Sequence, residues 1–151
     1  MVDFKKDSWL YALIAAFIAI IGILVPWSIS YAGGGTTVYT WLGGFIQYAS
    51  GGGYDVWGGY SGLSIWTLGL SIFSIAILLV YSINTWKGKE FKWDWLMYIL
   101  TGMILFILPI LTLILEGIRK AFPLGAIFLI TVGAIAIVAF AVDKFVGRKQ
   151  P

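Results

Sequence analysis

Four stretches of this chain, residues 9–27, 63–84, 95–115 and 122–142, contain no Asp, Glu, Lys or Arg. Each is long enough to cross roughly 30 Å of hydrocarbon, which takes about 20 residues at the helical rise. A helix on the surface of a soluble domain pairs an apolar stripe with a charged face, and these stretches have no charged face to offer. They predict an all-α membrane protein, a single domain over residues 1–151 with four transmembrane helices. The composition agrees, at 60% hydrophobic and 11% charged. Trp9, Tyr11, Trp27, Tyr81, Trp86, Trp93, Trp95 and Tyr98 stand at the borders of the stretches, as anchors at a membrane–water interface do. Pro123 falls at the expected first turn of the fourth span, where its missing N–H is harmless.

Orientation follows from the basic residues. Lys5, Lys6, Lys87, Lys89, Lys92, Lys144, Arg148 and Lys149 all lie on one predicted side, and only Arg119 and Lys120 on the other. The positive-inside rule places both termini in the cytoplasm and residues 28–62 outside. The net charge of +3 is then an attraction to anionic inner-leaflet lipid. Basic residues in twos and threes beside Trp do not make a nucleic-acid surface, so none is expected. Lys5–Lys6, an apolar run and Ser30-Tyr31-Ala32 superficially resemble a signal peptide. The run is long for one and ends in Pro26-Trp27, so it reads as a retained anchor. The entry to span one, Asp3-Phe4-Lys5-Lys6-Asp7-Ser8-Trp9-Leu10, resembles the entry to span three, Glu90-Phe91-Lys92-Trp93-Asp94-Trp95-Leu96. A two-plus-two duplication explains this, and so does convergent interfacial chemistry.

The chain has no His and no Cys. That excludes imidazole bases, thiolate nucleophiles, zinc–thiolate sites and iron–sulfur clusters. Asp55 is a lone carboxylate, and Glu116, Arg119 and Lys120 read as a solvated helix end. There is no G-x-S-x-G motif or P-loop. We expect no catalysis, cofactor or metal, and no ion path, since no carboxylate or Lys is buried in a span.

Helices in lipid associate through small residues and hydrogen bonds. Ala12, Ala15, Ala16 and Ala19 fall within about a third of the circumference of span one at 100° per residue. Ala126 with Gly133, and Ala134 with Ala141, stand seven residues apart on span four and so nearly on one face. Ser71 and Ser74 mark a polar stripe on span two, and span three carries Thr101 inside and Pro109 where it should kink the helix.

Residues 27–62 hold 11 of the 19 glycines and nine of the 26 aromatics, with Asp55 their only charge. Flexible linkers are not packed with Trp and Tyr. Thr36–Leu42, Phe45–Tyr48 and Tyr54–Trp57 have strand composition, separated by Gly43-Gly44 and Gly51-Gly52-Gly53 turns. They predict a small extracellular β-meander between helices one and two. It serves either as a self-packed cap or as a contact face for another molecule, with Trp27, Trp41, Gly43, Phe45, Tyr48 and Trp57 as the interaction residues.

Pro26-Trp27 closing span one, followed by Thr40-Trp41-Leu42-Gly43-Gly44-Phe45, resembles the claudin and peripheral myelin protein superfamily. The match is to its Trp after span one and its W-x-G-L-W block, with Gly44 for Leu and Phe45 for the final Trp. The family's hairpin disulfide would fall near Tyr48 and Trp57, and neither position is Cys. The resemblance implies lateral self-assembly or cell-surface contact, and the nearly uncharged loop sets it apart from charge-selective pores.

The expected function is therefore that of a non-catalytic tetraspan protein, partnered by the lipid bilayer and by copies of itself. Two other readings stand beside it: an accessory subunit of a larger membrane complex such as a respiratory assembly, and a channel or carrier for a neutral solute. One Asn, two Gln and no Cys lean towards a thermophile, and so towards a prokaryotic, even archaeal, plasma membrane.

Overall fold

Proline and glycine set the element boundaries. The computed structural model describes residues 8–32, 35–41, 44–49, 54–58, 62–89, 93–115 and 122–146. Helix α1 (Ser8–Leu24) is followed by strands β1 (Ser28–Ala32), β2 (Gly35–Tyr39), β3 (Gly44–Ala49) and β4 (Tyr54–Gly58), then by helices α2 (Gly62–Trp86), α3 (Asp94–Leu115) and α4 (Leu124–Val146). Helix α1 stops short of the expected Trp27. Pro26 disfavours helical geometry in the residue before it, and the last helical hydrogen bond runs from Val25 N–H to the Ile21 carbonyl at 3.1 Å.

Helix α2 ends in a Schellman turn. Gly88, with φ at +75°, donates to the Thr85 carbonyl at 2.9 Å, and Lys89 N–H reaches the Asn84 carbonyl at 3.0 Å. Only glycine adopts that backbone without strain. Helix α4 begins two residues later than expected. Phe122 pairs instead with Ile29 as an isolated antiparallel bridge, each N–H donating to the other's carbonyl, at 2.9 and 2.6 Å.

Helices α2 and α3 contain apolar stretches of 22 and 21 residues, long and apolar enough to cross a membrane. The apolar runs of α1 and α4, Trp9–Leu24 and Leu124–Val138, are shorter. Each helix packs on two others, α1 on α2 and α4, and α3 on α2 and α4. The interior these contacts enclose is lined with small and hydroxyl-bearing residues: Ala12, Ala15, Ala16, Ala19, Ala126, Thr67, Ser71, Ser74, Thr101 and Thr112 are all buried. Larger Trp27, Leu78, Leu105, Leu129 and Val132 fill the remaining space. Outward stand Phe17, Ile21, Ile72, Phe73, Val80, Met103, Ile107 and Ile114.

Glycine brings the helix backbones into contact at two places. A Cβ on Gly133 of α4 would lie 2.5 Å from the Phe106 nitrogen and 2.8 Å from the Gly102 carbonyl oxygen of α3. A Cβ on Gly125 would lie 2.6 Å from the Gly22 carbonyl oxygen of α1. Gly133 and the alanines named from the sequence are therefore at helix contacts, whereas Ala134 and Ala141 are only half-buried. The sequence reading overlooked Gly22, Gly102 and Gly125. A glycine in a helix interior costs about 0.5–1 kcal/mol relative to alanine, and that cost was the available sign of a backbone contact.

Gly133→Ala should destabilise the protein by about 2 kcal/mol through overpacking. Gly69, with nothing within 4 Å of its added Cβ, serves as the control, and Gly69→Ala should be neutral or stabilise by up to about 1 kcal/mol. Equilibrium unfolding of the two purified variants checks the pair.

Candidate functional site

The four strands form one antiparallel sheet in sequence order, β1-β2-β3-β4, so the expected meander has an extra strand at its start. Ser28–Ala32 was hidden because its pairing partners, on β2 and at Phe122, are fixed only by the fold. Strand β2 also stops earlier than its composition implied, at Tyr39 rather than Leu42. Trp41 leaves the strand, and the reason lies beneath it.

Pro26 has no N–H, so it leaves the Gly22 carbonyl without its helical donor. The indole Nε1 of Trp41 supplies one, donating to the Gly22 carbonyl at 3.1 Å and to the Val25 carbonyl, also at 3.1 Å. Trp27 sits against Trp41, with ring centroids 6.1 Å apart. On its other side Tyr39 meets it edge-on at 6.2 Å, and Trp27 N–H donates to the Tyr39 carbonyl at 3.1 Å. Trp27 and Trp41 are 2% and 5% exposed. Both are therefore the seat of the sheet on α1, and neither is available to touch another molecule.

The ladder register sorts the remaining sheet residues into two faces, since directly opposed residues point the same way. On one face stand Ile29, Val38 and Ile46, with Tyr31, Thr36 and Tyr48 in the row beside them. On the other face stand Ser28 and Tyr39, next to Ser30, Thr37 and Gln47. Tyr31 is 74% and Tyr48 47% exposed. Of the interaction residues named from the sequence, Tyr48 is thus on the surface, and Phe45 and Trp57 are opposed partners in the β3–β4 ladder. Gly43 lies outside the described residues. Tyr31 is the exposed aromatic the sequence reading missed, because it sat in the unrecognised first strand.

The two edges of the sheet differ. The β1 edge is capped at Ile29 by Phe122, whereas β4 pairs only with β3 among the described residues. Compared with known proteins, the chain matches no family model and no curated sequence.

Trp41→Phe keeps a ring but removes both hydrogen bonds to α1. It should weaken the seating of the sheet by about 1–3 kcal/mol, the penalty for stranding buried polar groups. Hydrogen exchange checks this: amides of β2 and of the Trp27 segment should exchange faster, while those in the middle of α3 keep their protection.

Proposed function

We propose that this chain is a four-helix integral membrane protein that works without catalysis, by lateral self-association or cell-surface contact through its sheet. The observation that carries the membrane reading is the inverted distribution of side chains. Alanine, serine and threonine line much of the interior, while Phe17, Phe73, Val80 and Ile107 point outward. In water such an outer surface far exceeds the apolar patch a monomer tolerates, whereas in lipid it is the favourable arrangement and small residues are what let helices touch. The excess of Lys and Arg near the termini and after α2 supports cytoplasmic termini, with the sheet on the outside of a plasma membrane.

Self-association is assigned to the face bearing Tyr31 and Tyr48, since Trp27 and Trp41 are spent on holding the sheet. Two features support this assignment: the exposed tyrosines lie on β1 and β3, both paired with β2 and both opposite Thr36, which fixes their spacing, and tyrosine is a frequent anchor of interfaces. The likeness to the claudin and peripheral myelin protein superfamily belongs to this proposal, resting on Pro26-Trp27 and the block that begins at Trp41. In this chain the strands carrying Tyr48 and Trp57 are joined by a backbone ladder and have no cysteine pair.

Native mass spectrometry of the full chain released from lipid nanodiscs tests the proposal. Homo-oligomers are expected, and Tyr31→Lys with Tyr48→Lys should weaken association roughly tenfold or more, the scale of losing one interface anchor. Oligomers indifferent to both substitutions would remove the sheet from the interface. Stoichiometric capture of other membrane subunits in place of homo-oligomers would favour the accessory-subunit reading. Extraction of the protein from membranes by alkaline carbonate would overturn the membrane assignment itself.

A further inference from the structure

The buried hydroxyls of α2 and α3 nearly all have partners. Ser74 donates to the Leu70 carbonyl, Thr101 to Met97, and Ser82 crosses to the Trp9 carbonyl of α1. Thr67 and Thr112 bond each other, and the one that accepts donates to the carbonyl of its own preceding turn, Leu63 or Leu108. Ser71 is the exception: it is fully buried, and its Oγ has no partner. On the same helix Ser74 bonds back to the preceding turn, whereas the Ser71 hydroxyl does not.

Two contacts fix what stands opposite it. Tyr81 meets Tyr98 with ring centroids 5.1 Å apart, and Thr67 meets Thr112 with hydroxyl oxygens 2.7 Å apart. The two contacts are 14 residues apart on each helix (81 − 67 and 112 − 98), so α2 and α3 run antiparallel in constant register. Four residues past Thr67, Ser71 is level with Leu108, one residue from Pro109.

Pro109 has no N–H, which leaves the Leu105 carbonyl, directed towards that same layer, without its helical donor. At 100° per residue, Ser71 lies about 40° from Thr67, turned towards Ser82, which contacts α1. Leu105 and Pro109 lie about 20° and 60° from Thr112, turned towards Gly102, which contacts α4. Both groups therefore converge on the centre of the bundle. One is a hydroxyl donor and the other a carbonyl acceptor, and each lacks the partner its neighbours have.

We infer that this layer is a hydration site. One water molecule accepts from the Ser71 hydroxyl and donates to the Leu105 carbonyl, replacing between two helices the hydrogen bond that Pro109 removes within one. A buried water held by such groups is part of the structure and costly to lose. The inference rests on helix packing alone and does not depend on what the sheet binds.

A double-mutant cycle on the full chain, unfolded reversibly in mixed micelles, tests it. Ser71→Ala should lower the folding equilibrium constant about tenfold, since it strands the water and the carbonyl. Pro109→Ala restores an N–H for the Leu105 carbonyl, so in that background the same substitution should cost little. Ser71→Ala that is neutral or stabilising, or that costs the same in both backgrounds, would overturn the site, because a merely unpartnered hydroxyl is better removed. Water-edited solid-state NMR gives a readout independent of stability. Early magnetisation transfer from water to Leu105, lost on Ser71→Ala, is expected, and a dry layer in the unsubstituted protein refutes the inference.

Discussion

The close approach of Gly125 to the end of α1 is the contact on which the rest of the arrangement depends. Gly125 N–H donates to the Pro26 carbonyl at 3.0 Å, and an added Cβ would lie 3.1 Å from the Trp27 Cα. With α4 that close, Phe122 comes alongside Ile29 and fixes the first strand. Trp27 is then held where Tyr39 and Trp41 close over it, and the sheet inherits its position from the helices. A larger residue at Gly125 would push apart two helices and the root of the sheet at once.

Two prolines pose the same chemical problem at opposite sides of the bundle. Pro26 strands the Gly22 carbonyl and Pro109 strands the Leu105 carbonyl, in both cases the oxygen four residues earlier. At the first the chain answers with the indole of Trp41, a donor delivered from the sheet. At the second, in the bundle interior, the nearby unpaired donor is the hydroxyl of Ser71. Backbone groups away from water must be paired, and each proline thereby turns a bond within one helix into a link between two elements.

The helices were legible in the sequence because exclusion of charge over 20-residue stretches is a strong, local signal. Ala12, Ala15, Ala16, Ala19 and Ala126, named for close packing, are buried, as are Ser71 and Ser74 of the polar stripe, and Gly133 meets α3. Three strands were legible from β-branched and aromatic runs between glycine turns. The fourth was not, because Ser28–Ala32 owes its conformation to Tyr39 and Phe122, partners distant in sequence. Trp27 and Trp41 were named as contact residues on grounds that do not distinguish an anchor turned inward from one turned outward, and both are buried. That distinction depends on the stranded Gly22 carbonyl, which only the folded arrangement makes available to an indole.

The unequal edges of the sheet limit what it can build. Phe122 occupies the β1 edge at Ile29, so a strand of another sheet cannot pair along the whole of β1. Were the β4 edge, paired only with β3 among the described residues, to meet another copy, the joint would be like-to-like, two copies related by a twofold axis. Growth beyond a pair would need a different surface, such as the tyrosine row. Phe122 is thus what makes the two edges unequal: among the described residues, β1 has a partner on both sides at Ile29 and β4 on one side only.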